Sequence, residues 1–195
     1  MRYFILHHED PNGKFIDADV EFSPSLPEYY QIGKNLLSEN TEITITLDKS
    51  IKKINSDFFL TTCGAFFASE GLKDIFETFQ HDLTIVPSKA LYFSKKEVEK
   101  KYFLIHSNEK KPCFDYKNSE YSGKQLILNR ISNGEPPSNF QAKGIKKLRL
   151  DEKKIGSSNF FFIADIIWLD PIVSENIESM AKQKNIKLIF EKIDQ

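Results

Sequence analysis

Short apolar runs alternate with polar, turn-rich stretches along this chain, and their period changes from one segment to the next. "TEITITLD" (41–48) sets Ile43, Ile45 and Leu47 against Thr44 and Thr46, the two-residue period of a half-buried strand. "RYFILHH" (2–8), "DFFLTT" (57–62), "LTIVP" (83–87), "YFLIHS" (102–107), "IKKLRL" (145–150) and "IKLIFEKI" (186–193) also read as strands. "QLILN" (125–129) is read the same way, and "SSNFFFIADI" (157–166) as a strand paired on both sides. "DPNG" (10–13) signals a turn, and "KKEVEKK" (95–101) a short charged helix or a loop. Residues 23–40 form a proline-punctuated loop with at most a short helix around Tyr29–Leu37. "SNGEPPSNFQAKG" (132–144) is a loop and the best candidate for a mobile one.

Helical spacing occurs twice, each time after a Ser-Glu pair. In "ASEGLKDIF" (68–76), Ser69 suits an N-cap, Glu70 complements the helix dipole, and Leu72, Ile75, Phe76 and Phe79 share a face. In "VSENIESMA" (173–181), Ser174 and Glu175 repeat the start, with Ile177, Met180 and Ala181 facing inward. Both phrases encode strand, connector, Ser-capped helix, strand, a weak pseudo-repeat that belongs to scaffold rather than to a duplicated site. Two helices of about eleven residues are too few to wind the remaining strands into an α/β fold. The expectation is an α+β protein with a mixed, largely antiparallel sheet and a few short helices. It reads as one domain over residues 1–195, divisible into lobes 1–56 and 57–195.

Composition narrows the functional classes. The chain has 195 residues, 40% hydrophobic and 28% charged, ordinary values for a folded protein with a sizeable core. Seventeen Phe and seven Tyr beside one Trp make the interior aromatic. Basic and acidic residues balance at 27 against 28, and only Arg2, Arg130 and Arg149 are arginines, which disfavours nucleic acid as a partner. The N-terminus lacks the form of a signal peptide, no apolar run reaches the length of a membrane span, and Cys63 and Cys113 allow at most one bridge. A cytoplasmic protein with reduced thiols is expected, with no membrane partner.

Candidate chemistry is sparse. His7, His8, Glu9 and Asp10 are ligand types, but adjacent strand residues point to opposite faces, so the two histidines do not easily share an ion. His106 and Cys113 flank one strand without a third orienting group, and a buried packing cysteine is the preferred reading over a nucleophile. Glu70 and Glu175 are explained by helix starts rather than by acid–base work. Asp115, Tyr116, Ser119 and Tyr121 could bind a ligand, although tyrosines that pack while their hydroxyls bond nearby backbone fit as well. The alternative to a binding protein is thus a small hydrolase or ligand-binding protein with a site around Asp115 and Tyr116, drawing on His106 or Cys113. No residue set suggests a metal or a cofactor.

Three stretches carry a family resemblance: "FFASEGLKDIFETFQHDLTIVPSKAL" (66–91), "YFLIHSNEKKPCFDYKNSEYS" (102–122) and "FFIADIIWLDPIVSENIESMAKQKNIKLIFEKI" (161–193). In this order they resemble a family of bacterial immunity proteins of polymorphic toxin systems, over residues 57 to the end and the opening aromatic strand. Members tend to carry a glycine before the final strand where this chain has Asn185, a residue that tolerates a left-handed cap. The resemblance implies a small cytosolic protein that binds a cognate toxin domain stoichiometrically, without catalytic residues or cofactor. For the contact surface, acids beside aromatics and prolines select two segments. One is Asp17–Tyr30, with Asp17, Asp19, Glu21, Glu28, Tyr29 and Tyr30; the other is Asn133–Phe140, with Glu135 and Phe140. Glu9 and Asp10 could extend an acidic patch with Asp17, Asp19 and Glu21.

Overall fold

The computed structural model describes residues 1–8, 15–37, 40–79 and 83–194. The "DPNG" turn and the Glu9-Asp10 pair lie outside the described residues. In chain order the first elements are β1 (Tyr3–His7), β2 (Ala18–Ser23), β3 (Glu42–Leu47), β4 (Phe58–Leu60) and β5 (Phe66–Ser69). Helix α1 (Glu70–Phe79), β6 (Leu83–Leu91), β7 (Tyr102–Ser107), β8 (Glu120–Ser122) and α2 (Lys124–Ser132) follow. The chain finishes with β9 (Lys143–Lys147), α3 (Glu152–Ile155), β10 (Phe160–Phe161), β11 (Ile172–Ser174), α4 (Glu175–Gln183) and β12 (Ile189–Lys192). The fold is α+β. A six-stranded mixed sheet runs β2-β3-β6-β7-β5-β4, a four-stranded antiparallel sheet runs β10-β11-β1-β12, and β8 pairs with β9.

Four strands of the large sheet and all four of the smaller one repeat a single arrangement. The order β6-β7-β5-β4 matches β12-β1-β11-β10, with α1 and α4 each leaving the equivalent strand. The strand that opens the chain therefore takes the place in the C-terminal sheet that β7 takes in the N-terminal one. Register confirms the correspondence. Tyr102 faces Ser69 across β7–β5, as Tyr3 faces Ser174 across β1–β11. "Tyr-Phe-Leu-Ile-His" at 102–106 thus aligns with "Tyr-Phe-Ile-Leu-His" at 3–7. Each strand begins a unit in sequence, yet β1 completes the sheet of the second unit and β7 that of the first. The units have exchanged their opening strands, and lobe 1–56 accordingly contributes β1 to one sheet and β2 and β3 to the other.

Equivalent bonds hold both copies. Ser69 Oγ donates to Asp57 Oδ1 and Ser174 Oγ to Asn159 Oδ1, each at 2.6 Å. Their backbone N–H groups donate to the carbonyls of the same two residues at 2.8 Å. Here the sequence expectation is corrected: both serines precede a helix, but Ser174 makes no side-chain cap bond, and both hydroxyls reach sideways to tie a hairpin together. The following glutamates bind the base that precedes each exchanged strand, Glu70 with Lys101 at 3.1 Å and Glu175 with Arg2 at 2.7 Å. The Arg2 guanidinium and N–H hold the Glu175 carboxyl below its usual range. Tyr102 and Tyr3 donate to the carbonyls of Ser56 and Ser158, and each tyrosine meets a phenylalanine edge-on, Phe59 and Phe161 respectively.

Alternation then distributes the core. Tyr3 and Ile5 pack on one face of β1 with Phe161, Ile172 and the α2, β8–β9 region. Tyr102 and Leu104 pack on the matching face of β7 with Phe59, Phe67 and the inward residues of β3. Leu6 and Ile105 point the other way into a shared core with Phe58, Phe76, Phe160, Phe162, α1 and α4. There the units interlock through aromatic rings: Phe76 meets Phe160 edge-on at 4.9 Å and Phe66 meets Phe162 in a tilted contact at 5.5 Å between ring centroids.

Several elements depart from the sequence reading. "QLILN" is helical, because Ile127 and Ile131, four residues apart, share the face turned to the core. β10 covers only Phe160–Phe161 and pairs on one side, with β11, instead of on both. Residues 29–37 form a turn and 95–101 a loop, both within the sequence reading. Strands β2, β5, β8 and β11 have no counterpart among the strands expected from sequence. Asn185 does adopt the left-handed conformation, at φ 54°. Leu6 is fully buried in the shared core. Leu6→Ala is expected to lower stability by about 2–5 kcal/mol, read as a shift in the urea midpoint with loss of both sheets in one transition.

Candidate protein-binding surface

The residues chosen from sequence for chemistry are each held in a structural role. His106 is buried, with Nδ1 3.0 Å from the Tyr30 hydroxyl and Nε2 2.9 Å from the Asn35 carbonyl oxygen. Burial disfavours its cationic form and lowers its pKa, against the opposing bonds to Asn35 and Asn108. Cys113 is buried in the C-terminal core, and burial pushes its thiol up to about 12. Asp115 closes a turn: Oδ1 accepts from the N–H groups of Lys117 and Asn118, Oδ2 from the Asn118 side chain. Burial raises its pKa, but these bonds outweigh it and the net shift is downward. Tyr116 donates to the Asp165 carbonyl and Tyr121 to the Tyr116 carbonyl, while Ser119 ties to Arg149 backbone. Asp115 lines a polar cavity of about 430 Å³ beside Arg149, Lys147 and Asp194, and His106, Cys113 and Tyr116 are not part of it.

The N-terminal histidines behave differently from expectation. β1 ends at His7, so strand alternation no longer separates it from His8, and both rings reach one carboxylate. Asp170 Oδ2 lies 2.9 Å from His7 Nδ1 and Oδ1 lies 2.8 Å from His8 Nδ1, while Glu191 meets His7 Nε2 at 2.8 Å. His8 stacks on Phe15. Among the described residues, no group of three or more His, Cys, Asp or Glu is placed to hold a metal ion. No helix among them is long and apolar enough to cross a membrane.

The proposed contact residues fall in two segments, β2 with the loop that follows it and the loop after α2. Asp17, Asp19 and Glu21 line the exposed face of β2, and Ala18, Val20 and Phe22 point inward from the same alternation. β2 is an edge strand, and outward carboxylates of this kind guard an edge against unwanted pairing. Glu28 and Tyr29 are exposed, Tyr29 at 92%. Tyr30 is not a surface anchor: it is buried, stacked on Phe22 and bonded to His106. Glu135 grips Arg130 through Nε and Nη2 at 2.9 and 2.7 Å, and the guanidinium lies 4.6 Å from the Phe140 ring centre. The 133–140 loop is thereby folded back onto α2.

A feature that no single motif announced lies at the seam between the two units. A groove of about 570 Å³ is lined by Tyr30–Lys34, by Gly64 and Phe66, by Asn108–Lys110 and by residues between β10 and β11. Its wall is held firmly: Lys111 N–H donates to the Phe162 carbonyl, Ala164 N–H to that of Lys111, and Ile167 N–H to that of Ala142. In this segment Ile167 and Leu169 are 56% and 53% exposed, and the Trp168 indole N–H is buried without a hydrogen-bond acceptor. The one sequence signal was "IIWLD" (166–170), which puts the only tryptophan in an apolar run too long for the two-residue strand nearby. No family model matches the chain, and no curated protein matches it.

Two measurements follow from these environments. Cys63 is exposed and Cys113 buried, so a disulfide-exchange reagent is expected to titrate one thiol in native protein and two in urea. For His106, the folded-state pKa lies below the unfolded value, so between the two the unfolded chain binds the extra proton. Stability is therefore expected to fall as pH drops below about 6.5, and His106→Gln should flatten that part of the urea-midpoint profile.

Proposed function

We propose that this protein neutralises a cognate toxin domain by stoichiometric binding inside the cell that makes both. The observation that carries the reading is the seam groove with its exposed Leu169 and, in the same segment of chain, the exposed Ile167. Large apolar side chains left at the surface are what an interface covers. The family resemblance of residues 57 to the end supports the same reading.

In this account the protein works by occupying or distorting its partner and needs no bond-making side chain. The side chains that a hydrolase around Asp115 and Tyr116 would use are bonded apart from one another, which favours the binding reading over that alternative. The partner is a protein, and the place of action is the cytoplasm.

The reading expects a toxin with a variable C-terminal domain to be encoded immediately upstream, and co-expression with that gene product tests the proposal. Growth rescue together with a one-to-one complex in size-exclusion chromatography is expected. Absence of both rescue and complex would falsify the reading.

A further inference from the structure

We propose that His106 is a pH-operated clasp: on gaining a second ring proton it favours release of the 31–36 turn from the end of β7, which opens one wall of the seam groove while both sheets stay folded. The clasp stands whether or not a toxin occupies that groove.

The turn is fastened at one place. Tyr30 and Leu37 are buried in the N-terminal core, and the residues between them are exposed or half-buried. Among the described residues, their hydrogen bonds to the rest of the fold end on the last two residues of β7. The Asn35 carbonyl meets His106, and the Gly33 N–H donates to the Ser107 carbonyl, each at 2.9 Å. A short segment with few buried contacts opens at far lower cost than a sheet.

Ring chemistry makes that fastening depend on protonation. A carbonyl only accepts, so His106 Nε2 carries the proton that meets Asn35, and in the neutral ring Nδ1 is left to accept from the Tyr30 hydroxyl. Burial holds the Tyr30 phenol protonated well above its ordinary range, so it remains the donor. A proton arriving at Nδ1 takes away the phenol's acceptor, in a site with no exposed surface at His106. It also creates a cation where water does not reach. The Asn35 carbonyl bonds that cation more strongly, but burial outweighs the gain. Opening the turn that covers Nε2 admits water and relieves both costs.

Among the described residues, no carboxylate is bonded to His106 to offset the charge. The charged and titratable groups around it are Tyr30 and Lys34 from the turn, Glu109 and Lys110 from the exit of β7, Asp165 across the groove, and Cys63 beside Tyr30. Asn108 and, on β6, Thr84 are its neutral neighbours. The other unit supplies the contrast. His7, at the equivalent place in β1, meets the carboxylates of Asp170 and Glu191, whereas His106 meets a carbonyl and a hydroxyl.

Amide exchange, taken relative to the free-peptide rate at each pH, tests the clasp. Because the open form binds the extra proton, opening at Gly33 is expected to become about tenfold more frequent for each pH unit below about 6.5, until the closed ring itself titrates. Amides of β7 that pair with β5 and β6 should keep their protection. His106→Gln donates to Asn35 without gaining a proton, and it should make Gly33 exchange independent of pH. Should that variant fail to fold, Tyr30→Phe serves in its place. It removes the hydroxyl that protonation displaces, and it is expected to raise Gly33 opening at neutral pH and to lessen the acid response. Gly33 protection that is unchanged on acidification, loss of protection in β7 together with Gly33, or an undiminished acid response in the variant each overturns the proposal.

Discussion

Insertion of β1 between β11 and β12 is the contact on which the architecture depends. Without it the C-terminal sheet would keep only the two-residue β10 paired with β11, and β12 would have no neighbour. A two-stranded fragment of that size is not stable in water. The strand brings Tyr3 and Ile5 to one core and Leu6 to another, so one short ladder supplies side chains to both faces of the sheet. Its base, Arg2, then anchors the start of α4 through Glu175. The same set of contacts recurs around β7, and the exchange of these strands makes each unit incomplete alone. What joins the units is thus hydrogen-bonded ladder as well as packed phenylalanine, a more directional link than apolar contact by itself.

Much of this was legible in the sequence, and particular residues show why the rest was not. The Thr-Ile alternation of β3 and the apolar faces of α1 and α4 carry their own period, and the structure follows them. "QLILN" carries no period within five residues; only Ile131 beyond it reveals the four-residue spacing of a helix. In β2 one alternation encodes both faces, Asp19 and Glu21 outward against Val20 and Phe22 inward, but the intervening acids mask it. The serines illustrate a subtler limit. A residue suited to capping was read as capping, but its hydroxyl found a stronger tertiary acceptor in Asp57 or Asn159, and local preference gave way to a distant partner. The repeat extends to "KYFLIHS" and "RYFILHH", whose spacing from the two helices differs so widely along the chain that only the fold brings them into equivalent places.

The groove was the least legible part, for a physical reason. Its surface is assembled from the loop before β3, the β4–β5 turn, the exit of β7 and the long connection between β10 and β11. Each piece alone reads as an ordinary connector. Only the exchange of strands brings the two hairpin connections and the β7 exit to one place, so the site is a property of how the units join and not of any motif within them. By contrast Asp115, Tyr116, His106 and Cys113 are chemically eloquent side chains that the fold uses to close a turn, satisfy carbonyls and fill space.

Exchange also sets an order of assembly during synthesis. β1 leaves the ribosome well before its partners Val173, Ile172 and Glu191 have been made. It therefore stays without its sheet until β11 and β12 have emerged, whereas β4, β5, β6 and β7 can close their own ladder as soon as residue 107 has emerged. Long sequence separation slows such closure. In that interval the growing chain is a half-formed body carrying an unpaired aromatic strand.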